Sequence, residues 1–276
     1  MGKKNNLTGK KKKDIWSSRW AAWIRPILVV ILWWLWGRTP GEGIRFLPTI
    51  PEVWTGFVRL VKNGTLWENI KISTIRGFKG LAWGGLIGFV LGVINGISRK
   101  ADRVLNNPIQ MIRNVPYLAM MPLILVWFGI GEMTKTILIA IGTFFPIYLN
   151  TYSGIRYIDG NLIEMAKVYG IKNKDLYLNV IFPGALPSIM IGIKQSLGRM
   201  WVILIVAEEI AAKSGIGYMV TNAREYMLMD VIVVGLILYA VLGSLSDGIT
   251  TLIERHLLKW RYSTESFLYT LNRSRD

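Results

Sequence analysis

The sequence has no cysteine and a single histidine, His256. Disulfides, thiolate nucleophiles and cysteine metal sites are therefore excluded, and so is a multi-histidine metal centre. A Ser-His-Asp triad would have to form around one histidine near the C-terminus, which argues against hydrolase chemistry. The phosphate-binding pattern Gly-x-x-x-x-Gly-Lys-Ser/Thr is missing: Gly9-Lys10 has neither the upstream glycine nor the following hydroxyl residue. No alternation of strand and helix patterns exists to hold such a loop. Acidic residues are scarce, 17 against 33 Lys+Arg, for a net charge of +16. In a soluble chain that excess would point to nucleic acid. Here no segment between the apolar blocks is long enough to fold a polar, basic domain, so no nucleic-acid partner is expected.

What is present is apolar sequence in blocks. Hydrophobic residues make up 52% of the 276 positions, with 12 Trp, and the mean hydropathy is +0.37. A bilayer core takes roughly 20 apolar residues per helix. Six candidates occur, at 20–37, 78–97, 117–130, 136–152, 196–212 and 231–253. The third is short, and Pro122 lies inside it. The start, Lys10-Lys11-Lys12-Lys13 followed by an apolar run, has no small-residue cleavage site after Trp36 and reads as a retained signal-anchor.

Counting Lys and Arg orients the chain. With the N-terminus inside, segments 1–25, 98–115, 153–195 and 254–276 carry 22 basic residues, and the opposite segments carry 9. The expected layout is a basic cytoplasmic tail 1–25, a transmembrane domain 26–253 with a cytoplasmic loop 153–195, and a cytoplasmic tail 254–276. The protein is expected in the cytoplasmic membrane, multi-pass, with both termini cytoplasmic and lipid around it.

Glycine recurs every fourth residue at Gly84, Gly88, Gly92 and Gly96. This spacing makes a stripe against which another helix packs closely. Residues 51–62 read as an amphipathic helix with Val53, Trp54, Phe57, Leu60 and Val61 on one face. Thr65-Leu-Trp-Glu68 matches a capping box that would start the helix entering the second span. This outer surface is a candidate docking site for an external partner, or a simple interfacial anchor.

The loop 153–195 is the informative stretch. Leu162, Met165, Ala166 and Tyr169 form an apolar face on a helix of about 160–169, too short to span. Gly170 is placed to end it in the left-handed conformation. A second short turn, 174–180, is expected to stop at Pro183. Two short helices with a sharp bend make a rigid knob, suited to a groove on a soluble partner.

Glu164-Met-Ala166, three residues, Gly170, nine residues, then Val180-Ile-Phe182-Pro183 resembles the EAA loop of ABC-transporter permeases. Met165, Val180 and Phe182 are apolar replacements within that pattern. Arg113-Asn114-Val-Pro116, Phe144-Phe-Pro146, Leu197-Gly-Arg199-Met-Trp201, Ala207-Glu208 and Ser214-Gly-Ile-Gly-Tyr218 are similar to the branch for sulfonates, taurine, nitrate and bicarbonate. Pro183-Gly-Ala-Leu-Pro187 and Asp230-Val-Ile-Val-Val234 are most similar to aliphatic-sulfonate permeases. The resemblance covers nearly the whole chain after about residue 45. It implies an all-α polytopic protein with six transmembrane helices and the type I ABC importer permease fold. It implies a homodimer of this chain, two ATP-binding-cassette ATPase subunits and an extracytoplasmic substrate-binding protein. ATP and Mg would bind the partner ATPase, with no cofactor or metal in this chain and no enzymatic site of its own. The ATPase-coupling residues it implies are Glu164, Ala166, Lys167, Gly170 and Pro183. The function implied is ATP-driven import of aliphatic sulfonates, with nitrate, taurine or another small solute as the alternative and a secondary transporter as the more distant one.

Charges within spans need protein or water around them. Arg199 and Glu208 lie half a turn apart on one helix and cannot pair with each other. Each needs a partner elsewhere, in a structural ion pair, or Arg199 contacts an anion in transit. An acidic Glu208 would repel a sulfonate, so its role reads as structural, shaping an outer gate. Arg113 and Asn114 either mark positive-inside topology or line the inner mouth. Met120, Phe144 and Trp201 are either packing residues or an apolar seal on the translocation pathway.

Overall fold

A computed structural model describes residues 21–37 and 47–260; the two basic tails and segment 38–46 lie largely outside them. Ten helices are numbered here: α1 Ala21–Trp36, α2 Ile50–Lys62, α3 Thr65–Ile97, α4 Arg99–Arg113, α5 Tyr117–Phe128, α6 Glu132–Arg156, α7 Gly160–Val168, α8 Lys174–Ile210, α9 Ile216–Glu225 and α10 Met229–Leu257. No strand occurs among the described residues.

Four of these helices are long and apolar enough to cross a bilayer, namely α3, α6, α8 and α10. The expected third span is not a straight crossing: α4 and α5 meet at 88°, and counting the pair as one span brings the total to five. The bend falls at Asn114-Val115-Pro116, where Pro116 disfavours helical backbone at the residue before it. Pro122 instead occupies the first turn of an α-helical segment, where its missing N–H costs nothing. The first expected span is the shorter apolar helix α1.

α6 is the central helix. Of its most apolar window 61% is buried, against 22–33% in the other three long helices. It lies between α3 and α8, and both seams are built on glycine. A Cβ at Gly88 would stand 2.6 Å from the Phe144 carbonyl oxygen, one at Gly92 2.8 Å from Thr151 Cβ, and one at Gly96 2.8 Å from Ile155 Cβ. On the other seam, a Cβ at Gly154 would meet Ser188 at 2.8 Å, and one at Gly192 would meet Asn150 at 2.8 Å. The stripe therefore serves helix packing. Without it α3 would stand off and lose dispersion contacts along its length.

Three local expectations change. The capping box belongs to α2: Thr49 and Glu52 cap each other reciprocally, and α3 follows Gly64 in the left-handed conformation with no side-chain cap. Thr65 is already inside α3, so its hydroxyl is past the capping position. Trp54 is 64% exposed and does not share the packed face of Val53, Gly56 and Leu60. Pro183 does not stop a helix. Within α8 the chain makes a π-helical turn at Tyr177–Ile181 and continues unbroken to Ile210. The wider turn, in which the Phe182 N–H reaches the Tyr177 carbonyl, absorbs a proline at the start of the next segment.

Candidate functional site

The end of the bundle that carries α7 presents a free-standing knob. Asp159 caps α7 by accepting the Asn161 N–H at 3.0 Å. At the other end Gly170 has φ +82°. Its N–H reaches the Lys167 carbonyl at 3.0 Å and the Ile171 N–H reaches the Ala166 carbonyl at 3.0 Å. These two bonds are the Schellman closure, which requires a left-handed residue at the position Gly170 fills. Ala166 is the buried residue of the knob, while Glu164 and Lys167 are exposed. Met165, Val168 and Tyr169 are also exposed, at 53%, 86% and 79%. Of the apolar face read from the sequence, only Ala166 is fully buried, and Leu162 is 38% exposed. Pro183 is half-buried in α8, just after its π-helical turn.

The α9 end is the opposite. Glu208 is fully buried and takes hydrogen bonds from both sides: from Ser73 Oγ at 2.8 Å, from the Gly217 N–H at 2.8 Å and from Tyr239 at 3.3 Å. Arg76, itself buried, forms its ion pair. Its Nε and Nη2 grip Glu132 with two bonds of 2.7 Å, and the Nη1 that pairs with Glu208 also reaches the Ser214 carbonyl at 3.2 Å. Buried Lys135 adds a 2.6 Å bond to Glu132. Three successive backbone N–H groups at the start of α9 are received by side chains: Gly215 by Asn69, Ile216 by Ser73 and Gly217 by Glu208, each at 2.8 Å. A helix start buried against protein needs such acceptors. A side chain at Gly215 or Gly217 would collide with Glu208, which accounts for the Gly-Ile-Gly spacing.

The predicted need of Glu208 for a partner on another helix is thus met by Arg76. Arg76 was counted among the basic residues of the outer segment 38–77, ahead of the span expected at 78–97, and Ser73, Glu132, Lys135 and Tyr239 were missed. The signal was the unbroken helical pattern from Thr65 onward, which carries Arg76 into the bundle.

The pathway candidates separate. Trp201 is buried and donates to Ser246 Oγ at 2.9 Å. Arg199 is exposed on α8, one turn from Gln195, with no ion pair among the described residues. Gln195 accepts from Asn150 of α6 at 3.4 Å. Arg113 and Asn114 are exposed at the α4–α5 bend. Met120 and Phe144 line one apolar cavity of about 510 Å³, with Trp83, Ile87, Ile137 and Ile141. Phe144 also heads a stacked ladder with Tyr148 and Tyr152. Tyr148 accepts from Asn95 at 2.8 Å and donates to Asn106 at 3.2 Å, which ties the π-helical turn of α4 at Asp102–Asn106 to α6.

Residues 84–259 match the family described as binding-protein-dependent transport system inner membrane component. The chain is 49% identical to the aliphatic sulfonates transport permease protein SsuC of Escherichia coli (strain K12), over 89% of this chain and 93% of that protein. It is 39% identical to SsuC of Bacillus subtilis (strain 168), over 87% of each. It is 31% identical to the taurine transport system permease protein TauC of Escherichia coli (strain K12), over 84% of this chain and 86% of that protein. Among solved structures, an amino acid ABC transporter shares the fold at TM-score 0.60 and 19% identity, over 72% of this chain and 98% of that one. The MetNI methionine ABC transporter does so at 0.52 and 20%, over 76% and 99%.

Proposed function

The chain belongs to the family of binding-protein-dependent transport inner membrane components, a multi-pass membrane subunit with the type I ABC importer permease fold, and on that premise we propose that it carries aliphatic sulfonates across the cytoplasmic membrane in an ATP-driven importer. The single observation that carries the substrate is the 49% identity to a sulfonate permease over 89% of the chain. The assembly is two copies of this chain, two ATPase subunits that bind ATP and Mg, and a substrate-binding protein outside. Both termini and the α7 knob face the cytoplasm.

α7 docks in a groove of the ATPase. Its exposed Met165, Val168 and Tyr169 supply apolar contact, and Glu164 and Lys167 set charge and register. The Schellman closure at Gly170 fixes the angle at which the knob leaves the chain. Closure of two ATPases on ATP would move both knobs, and α8 would carry the motion past Pro183 into the membrane. Arg199, an unpaired cation on the exposed face of α8, is the group suited to a transient contact with a sulfonate anion. Arg113 and Asn114 sit at the cytoplasmic mouth, and Met120 and Phe144 offer apolar surface to the alkyl chain. Glu208, already satisfied by Arg76, Ser73, Gly217 and Tyr239, holds the outer end and does not meet substrate.

Growth of a strain lacking this chain tests the substrate. Loss of growth on alkanesulfonates as sole sulfur source, with sulfate and nitrate growth intact, is expected. Loss on taurine or nitrate alone would reassign the substrate while keeping the fold. In the purified complex, Arg199→Ala is expected to cut sulfonate uptake at least tenfold, with Arg199→Lys retaining part of it. Equal uptake by all three would remove Arg199 from the pathway.

A further inference from the structure

α1 is apolar, yet along much of its described length its side chains are about half open: Ile27 to Leu32 are 48–66% exposed. Trp33 is the α1 residue packed against the core, and its indole N–H donates to the Pro48 carbonyl at 2.9 Å. A groove remains between α1, α2 and α10. Its apolar part, about 280 Å³, is walled by Trp33, Val53, Phe57, Val234 and Leu238. Trp54 belongs to this wall and also to a neighbouring shallow cavity of about 420 Å³ along α2, lined by Thr55, Val58, Arg59, Lys62 and Asn63. The two cavities adjoin at Trp54, the first toward the early turns of α2 and the second beside the basic residues of its last turns.

Charge separates the basic residues. Arg59 is paired with Asp230 at 2.7 Å, which consumes the acidic charge bordering this groove. Lys62 has no ion pair among the described residues and is exposed. It also stands in the last turn of α2, where its cation offsets the negative end of the helix dipole. An unpaired lysine and an exposed tryptophan above an apolar slot match an amphiphile with an anionic head.

We propose that this groove binds one anionic phospholipid, its acyl chain in the apolar part and its phosphate at Lys62, joining α1 to the bundle. The inference goes beyond the transport reading and needs only that the chain sits in a membrane.

Native mass spectrometry of the detergent-purified full-length chain, titrated with phosphatidylglycerol and with phosphatidylcholine of the same acyl chains, tests it. One phosphatidylglycerol should bind about tenfold more tightly than phosphatidylcholine. Lys62→Glu should erase that preference. Ile237→Trp, which fills the apolar part from a partly exposed position, should remove binding of both lipids, and Trp54→Ala should weaken both. Equal binding of the two lipids, or phosphatidylglycerol binding untouched by Ile237→Trp, would overturn the proposal. Competition by glycerol phosphate without acyl chains would also overturn it, in favour of a bare anion site. No readout involves transport, so its failure leaves the permease reading standing.

Discussion

At the α9 end, Arg76, Glu208, Ser73 and the backbone from Ser214 to Gly217 satisfy one another inside a single chain. At the α7 end, Met165, Val168 and Tyr169 stand open with Ala166 alone fully buried. Buried charges are tolerated only when paired, so the first arrangement is complete without a partner. Exposed apolar side chains on a short, rigid, doubly capped helix gain from being covered, so the second is incomplete without one. The same closure distinguishes two turns. Gly170 and Met227 each occupy the left-handed position of a Schellman turn, with φ +82° and +54°. Glycine adopts that backbone freely, whereas methionine is held there at a cost of about 1–2 kcal/mol.

Breaking the α9 end should cost most. Arg76→Met leaves Glu208 buried without its cation and should destabilise the folded protein by about 3–5 kcal/mol, read as a fall in thermal midpoint or as loss of the monodisperse peak in detergent. A variant as stable as the wild type would mean that the cluster contributes nothing to the fold. Gly170→Val should abolish ATP-coupled uptake while the protein still inserts, because a β-branched residue at φ +82° opens the closure of α7. Uptake at the normal rate would refute the knob. Glu164→Lys should leave the thermal midpoint within about 0.5 kcal/mol equivalents, as an exposed change does, yet reduce co-purification of the ATPase. Met227→Gly sharpens the comparison from the other side: relief of the left-handed methionine should leave stability unchanged or raise it by up to about 1 kcal/mol. A clear loss would show that the exposed Met227 side chain is engaged.

The apolar blocks that became α3, α6, α8 and α10 were legible because a bilayer demands long uninterrupted apolar helices. So was the Gly84–Gly96 stripe, because four-residue spacing has one geometric meaning on a helix, and so was Gly170, because an apolar period ended there. The 88° bend between α4 and α5 was not. Pro116 marks a break in helical backbone at the residue before it, but the size of the angle is not written in the local sequence. The π-helical turns at Asp102–Asn106 and Tyr177–Ile181 were hidden for a similar reason: each is an adjustment of one residue that leaves the apolar pattern readable as ordinary helix. Arg76 was counted as a loop charge because the span was started at Phe78. The helix expected to start near Thr65 does so, and it carries the same arginine inward toward Glu208 before the apolar span begins.

The most direct test is uptake of a labelled alkanesulfonate into proteoliposomes holding this chain with its partner ATPase, the binding protein supplied on the opposite side. Uptake that requires ATP, the binding protein and both chains, and that disappears with Gly170→Val, is the predicted result. Uptake by this chain alone, driven by an ion gradient and indifferent to ATP, would contradict it.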